Sequence, residues 1–243
     1  MINWKIYHFD EVDSTNNLAR KYSKGITKQY LIIHANKQTA GRGRWGRNWY
    51  SLQGNLFFSA LLEFPLQHLG KLVIISSLSL YQALKSLCIH QNIQLKWPND
   101  ILIDNAKVSG ILLEKAEGDY FIVGIGVNIA QSPSSENLIY PVTSLYEKAI
   151  ITTPNAVLQT FLQKFTENLC HFNKFGIETL RKQWLSGAKG LGQKIVIRQE
   201  NKEIYGQFIG IDDDANLLLQ TPEGINNILI GDVFYTEEDN DRI

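Results

Sequence analysis

The sequence predicts an α+β protein: a mixed, largely antiparallel sheet with helices, followed by a small all-β module. Three observations carry this. Residues 69–87 and 158–169 place apolar side chains at i, i+3 and i+4, the period of a helix with one core-facing stripe. Between them, short β-type runs are joined by tight turns, and Glu117-Gly118-Asp119 fits a hairpin. From Lys194 the helical period gives way to short alternating runs.

The elements follow in order. Asp13-Ser14-Thr15-Asn16 is an N-cap cluster ahead of Leu18, Ala19 and Tyr22 at helical spacing, and Gly25 supplies a stop, so a first helix spans about 15–24. Residues 31–35 and 55–62 are β-type runs on either side of a glycine-arginine loop. The long helix over 69–87 comes next, then strands at 94–97, 100–103, 107–114 and 120–128. Pro154 opens a helix carrying Leu158, Phe161, Leu162, Phe165 and Leu169, and 177–185 forms a shorter one. Strands at 195–197, 204–211, 217–220 and 225–230 close the chain, with the turn Asp212-Asp213-Asp214-Ala215-Asn216 between the second and third. Gly187, Gly190 and Gly192 precede the change of period and read as a linker, which divides the chain into 1–189 and 190–243.

With 243 residues, 44% hydrophobic, 20% charged and a net charge of zero, the composition is that of a soluble globular protein. Cys88 and Cys170 lie in helix-like apolar runs without metal spacing and read as two buried free thiols in a reducing compartment. The N-terminus has no uninterrupted apolar h-region, and no run of 18 apolar residues follows, so the expected location is cytoplasmic, without membrane contact. The charge is regional. No acidic residue occurs between Asp13 and Glu63, where Arg20, Lys21, Lys24, Lys28, Lys37, Arg42, Arg44 and Arg47 stand uncompensated, whereas 199–243 has 11 acidic residues against Lys202 and Arg242. This disfavours a uniformly basic nucleic-acid binder.

The loop over residues 37–51 is the most informative stretch. Gly41, Gly43 and Gly46 let the backbone take positive φ and approach a ligand, while Arg42, Arg44 and Arg47 aim planar donors at anions. A flexible basic segment is the alternative, but this loop is single and lies between strands. Other segments keep two readings. Ser14, Thr15 and Asn16 serve as a cap, a ligand site or both. Lys96-Trp97-Pro98-Asn99-Asp100 is a Pro-bearing turn with Trp97 in the core or part of a site, and Lys107 is an exposed hairpin lysine or the rim of a pocket. Gly124 and Gly126 leave room for a ligand on the sheet, but Ile129 stands where a dinucleotide fingerprint needs glycine. Walker A, Gly-x-Ser-x-Gly and His-Glu-x-x-His sequences are missing, and the five histidines lack metal spacing.

Taken together, Asp13-Ser14-Thr15-Asn16, the loop from Gln38 to Arg47, Lys96-Trp97-Pro98-Asn99-Asp100, Lys107-Val108-Ser109-Gly110-Ile111-Leu112 and Gly124-Ile125-Gly126-Val127-Asn128 resemble the biotin protein ligases over essentially the whole chain. The resemblance implies a catalytic domain related to class II aminoacyl-tRNA synthetases and a C-terminal SH3-like β-barrel. It implies that biotin and ATP, with Mg2+, give biotinyl-5′-adenylate, and that a lysine of a carboxylase's biotin carboxyl carrier domain then takes the biotinyl group. Lys107 and Arg44 would be catalytic. Ser14, Thr15, Asn16, Gln38, Gly41, Arg42, Gly43, Arg44, Lys107 and Gly110 would hold biotin. Arg44, Arg47, Trp49, Lys96, Asn99, Asp100, Lys107 and Asn128 would hold ATP, with the metal near Asp100.

Trp45 departs from the basic residue frequent at that loop position. The Ser-Thr-Asn motif begins at residue 14, which leaves no room for the DNA-binding domain of some members, so no DNA partner or repressor role is expected. Monomer and homodimer are both open. The C-terminal module is expected to pack against the larger domain or dock the carrier, not to meet nucleotide through its acidic surface. Lipoate transferases of the same superfamily carry a different, arginine-triglycine signature.

Overall fold

A computed structural model describes residues 2–26, 29–88, 90–134, 140–199 and 202–235. Lys28 and the acidic residues beyond 235 lie outside the described residues. Two sheets organise the chain.

The first has seven strands: β1 (Trp4–Val12), β2 (Tyr30–Gln38), β3 (Leu56–Glu63), β4 (Ile93–Lys96), β5 (Asp100–Ile103), β6 (Ala106–Lys115) and β7 (Tyr120–Val127). Their spatial order is β1-β2-β3-β7-β6-β5-β4, with β1 parallel to β2 and every other pair antiparallel. The β6–β7 hairpin turns through Gly118, whose φ of 59° suits glycine. β1 was missing from the sequence prediction because it is a half-exposed edge strand without a clean alternation.

Among the described residues the α-helices are α1 (Thr15–Tyr22), α2 (Leu69–Leu87), α3 (Pro154–Phe175) and α4 (Glu178–Ser186). The period-2 side-chain alternation of the central strands decides which helix each residue meets. Leu31, Ile33, Leu61 and Ile122 gather around Ala19 on the α1 side, whereas Ile32, Phe58, Phe121 and Val123 face a larger core built by the other helices. Phe58 and Phe161 meet there with ring centroids 5.1 Å apart. α1 therefore covers only part of its face and leaves the sheet surface next to it open for a site.

The second sheet contains β8 (Lys194–Gln199), β9 (Lys202–Ile211), β10 (Leu217–Thr221), β11 (Gly224–Ile228) and β12 (Asp232–Tyr235) in the antiparallel order β11-β10-β9-β8-β12. The overall class is the predicted α+β arrangement. The glycine-rich junction is no free linker, however. Leu95 donates to Gly187 O (2.8 Å), Lys189 donates to Leu95 O (2.8 Å), and a Cβ on Gly190 would stand 2.4 Å from the Tyr235 ring. The side chains of the two sheets belong to one continuous apolar core. Cys88 is buried as expected, but Cys170 is exposed on α3; both thiols are free. Among the described residues no helix is long and apolar enough to cross a membrane.

Candidate active site

A cavity of about 400 Å3 opens on the α1 face of the large sheet. Its wall includes all the sequence-predicted site residues except Gly41, which sits behind the loop where an added Cβ would stand 2.6 Å from Trp49 O. That close approach lets Trp49 N–H reach Gly41 O (3.0 Å) and closes the loop's base. Gly43 and Gly41 do not take positive φ; Gly46 does (70°), and so does Trp45 (59°), whose side chain is exposed.

One end of the cavity is neutral. Ser14, Thr15 and Asn16 are buried at the start of α1, yet Ser14 makes no side-chain cap. The cap comes from β2 instead, where Gln38 Oε1 accepts from Thr15 N–H (2.8 Å) and its hydroxyl (3.1 Å). Asn16 is fixed between two groups the sequence reading missed. It accepts from Ser59 Oγ (2.5 Å) and donates to Glu114 Oε2 (2.8 Å).

The other end is cationic, and most of its charges have distant acids. Lys107 Nζ lies 2.6 Å from Asp100 Oδ1. That oxygen has no well-directed hydrogen bond, so the contact is mainly Coulombic. The Lys107 backbone is clamped by Pro141 O (2.8 Å) and Thr143 N–H (2.9 Å). Arg47 pairs with Asp232 (2.5 Å); away from this end, Arg42 pairs with Glu114 beside Asn16 (3.3 Å), and Lys37, outside the cavity, with Glu11 (2.6 Å). The basic segment, uncompensated along the chain, is thus partly balanced in space. Arg44 differs: it donates to Asn99 Oδ1 (3.3 Å), and among the described residues no carboxylate is within ion-pair distance. Burial lowers its pKa, Asp232 and Asp100 opposing.

Lys96 is 7% exposed, with Nζ 3.3 Å from the Tyr140 ring centroid. Burial first, then repulsion from Lys107 and Lys189, outweighs Asp100 and brings its pKa down to about 8. Asn99 and Asn128 line the wall, but their amide nitrogens are engaged by Ile111 O (2.7 Å) and Thr143 O (3.1 Å).

The register places Gly110 opposite Gly126 and Leu112 opposite Gly124. Side chains stand close over these glycines, and all three still line the cavity. A Cβ on Gly124 would stand 2.2 Å from Asn16 Oδ1, and one on Gly126 2.3 Å from the Trp49 indole. Trp49 Nε1 is buried without a partner. Gly126→Ala is therefore expected to displace Trp49 and cost about 1–3 kcal/mol by overpacking. Gly43→Ala, whose nearest neighbour is at 3.5 Å, should be near neutral. Denaturant unfolding of the two variants checks the difference.

The C-terminal module also builds the wall, through Asp232 and Val233 of β12. One acid of the module, Asp232, thus stands in the cavity wall, already paired with Arg47. Asp232 holds the loop through Arg47, Tyr140 packs on Phe234 with centroids 5.3 Å apart, and Trp97 Nε1 donates to Ala215 O (2.8 Å). Tyr140 and Asp232 had no motif or periodic signal, and only a long-range pairing could have revealed them.

The biotin/lipoate A/B protein ligase family matches residues 8–129, and the biotin protein ligase C-terminal domain matches residues 190–235. The chain is 35% identical over 238 residues to the bifunctional ligase/repressor BirA of Bacillus subtilis (strain 168), covering 94% of this chain and 73% of that one. It is 33% identical over 234 residues to the biotin--[acetyl-CoA-carboxylase] ligase of Paracoccus denitrificans, covering 92% and 97%. A solved structure of biotin protein ligase from Aquifex aeolicus in complex with biotin and ATP matches with a TM-score of 0.82 at 33% identity, covering 95% and 97% of the two chains. With one cavity joining a neutral polar end to a cationic loop, and relatives of this extent, the chain belongs to the biotin protein ligase family of enzymes.

Proposed function

We propose that this chain joins biotin to ATP as biotinyl-5′-adenylate, then transfers the biotinyl group to a lysine of a biotin carboxyl carrier domain. The observation that carries this reading is the division of one cavity: neutral hydrogen-bonding groups at Ser14, Thr15, Asn16 and Gln38, and Arg44, Arg47, Lys96 and Lys107 at the other end. A neutral ureido ring suits the first, and a carboxylate meeting a triphosphate suits the second. Two anions repel until their charge is screened, so positioning and electrostatics supply most of the rate. Lys107 would exchange Asp100 for the reacting carboxylate and α-phosphate, and Arg44 would add a donor not already held by a carboxylate. In the second step the carrier amine attacks the acyl carbon, AMP leaves and the amine proton goes to solvent. The same cations would stabilise the leaving phosphate.

Mg2+ commonly uses one or two carboxylates and substrate phosphates instead of a protein cage. Asp100, with a buried oxygen short of a hydrogen bond, fits that demand; no cluster of three or more His, Cys, Asp or Glu exists among the described residues. When bound, the metal would neutralise charge on the outer phosphates. The reading divides the chain at 189/190 and includes no DNA-binding role.

Exchange of labelled pyrophosphate into ATP tests the proposal. It should require biotin; stimulation by lipoate instead, or retention of the chain on DNA without exchange, would overturn it. A pH prediction follows from Lys96. With a pKa near 8 it is half protonated at pH 8, facing Asp100, Lys107, Lys189 and Asp232 beside Tyr140 and Tyr235. A bound polyanion raises that pKa, so ATP binding should take up part of a proton near pH 8 and weaken as pH rises through 8 to 9. Calorimetry in buffers of different ionisation enthalpy reads the uptake, which Lys96→Met should abolish.

A further inference from the structure

Three donors converge on one carboxylate oxygen beside the neutral end of the cavity. Glu114 Oε2, on β6, accepts from Asn16 Nδ2 (2.8 Å) at the start of α1, and lies 3.3 Å from Arg42 Nη2 in the loop and 3.4 Å from Arg20 Nη2 on α1. Asn16 and Arg42 line the cavity, whereas Glu114 and Arg20 stand outside it. Arg42 also donates to Asn17 Oδ1 (2.8 Å), and Arg20 to Lys115 O (2.5 Å). Among the described residues Glu114 is the only carboxylate within ion-pair distance of Arg42. Ser14, Thr15 and Gln38 offer uncharged donors and acceptors at this end, but Arg42 would set a full cation against the same ligand. An unpaired guanidinium there draws an anion ahead of an uncharged ring. Glu114 removes that pull. Its second contact completes the hold on Asn16, whose Oδ1 already accepts from Ser59 Oγ (2.5 Å).

We propose that Glu114 determines the specificity of this end: from outside the cavity it neutralises Arg42 and orients Asn16, so that the pocket takes an uncharged hydrogen-bonding ring and rejects anionic head groups. The inference rests on the ligase reading above, which supplies the ureido ring as that ligand. Glu114 is a positioning residue, since it reaches the ligand only through Arg42 and Asn16. The discrimination comes from two sides. Pairing lowers the attraction of Arg42 for an anion, and the fixed Asn16 amide favours a ring that presents donors and acceptors in one arrangement.

The test uses the full-length chain and Glu114→Gln, which keeps the shape and an acceptor for Asn16 but removes the charge. In biotin-dependent exchange, the half-saturating biotin concentration should rise about tenfold, the loss of one charge-assisted contact, while the ATP value stays within about twofold. Sulfate substituted for chloride at constant ionic strength should compete with biotin in this variant and not in the wild type. Adding Arg42→Gln should abolish that competition, a response that simple loosening of β6 would not give. An unchanged biotin value, equal rises for biotin and ATP, or equal sulfate competition in wild type and variant would overturn the proposal. Glu114→Asp, one methylene shorter, is the second variant should Glu114→Gln fail to fold. It draws the carboxylate back from Asn16 and Arg42 and should raise the biotin value several-fold, and no change would count against the proposal. The unfolding midpoint in sulfate needs no turnover. Exchange independent of biotin, with sulfate stabilising Glu114→Gln more than the wild type, would sink the ligase reading and leave the charge assignment standing. Equal stabilisation of both would sink the charge assignment.

Discussion

Lys107→Ala is expected to slow biotin-dependent pyrophosphate exchange by about 10²-fold or more, some 2.7 kcal/mol of transition-state stabilisation. The Nζ lies 2.6 Å from Asp100 in a partly dehydrated wall, and its backbone is clamped on both sides by residues 141–143, so no neighbouring cation can take its place without reorganisation. The same substitution strands the buried Asp100 Oδ1, which separates two effects. Removing both partners, Lys107→Ala with Asp100→Asn, should recover the stability lost in the single variant while leaving exchange slow. Near-normal exchange by Lys107→Ala would remove this residue from the catalytic assignment.

Trp97→Ala is expected to have the largest effect on stability, about 3–5 kcal/mol for a buried indole. Trp97 is 3% exposed and ties the turn before Asn99 and Asp100 to Ala215 in the second sheet. Close by, an added Cβ on Gly70 would stand 2.2 Å from Asp214 O, so the two parts approach backbone to backbone. Loss of the indole should therefore loosen the module and the turn together. The expected signs are a lower unfolding midpoint and a raised half-saturating ATP concentration, with the biotin value less affected. Trp97→Phe keeps most of the packing and loses the hydrogen bond, at about 1 kcal/mol. If Trp97→Ala proved as stable as the wild type, the module would not brace the turn.

The two readings of the Lys96–Asp100 motif were not rivals. Trp97 belongs to the core and also borders the cavity, which its neighbours Lys96, Asn99 and Asp100 line. The start of α1 likewise forms the helix terminus and lines the cavity, although its cap comes from Gln38 and not from Ser14.

Much was legible in the linear chain. The long apolar periods marked α2 and α3, alternation and turn residues marked most strands, and the spacing of Gly and Arg marked the loop, because each depends on backbone conformation and neighbours a few residues away. β1 and β12 escaped this reading, since short or edge strands owe their existence to a partner elsewhere in the chain. The same distinction governs the site. Its residue types belonged to the sequence, but their partners did not: Arg47 meets Asp232 across 185 positions, Arg42 meets Glu114 across 72, and Gly126 makes room for Trp49. Coulombic pairing and steric fit act through space, so only the tertiary structure decided which cations stay free of a carboxylate, which acids hold the others, and that the C-terminal module closes the wall.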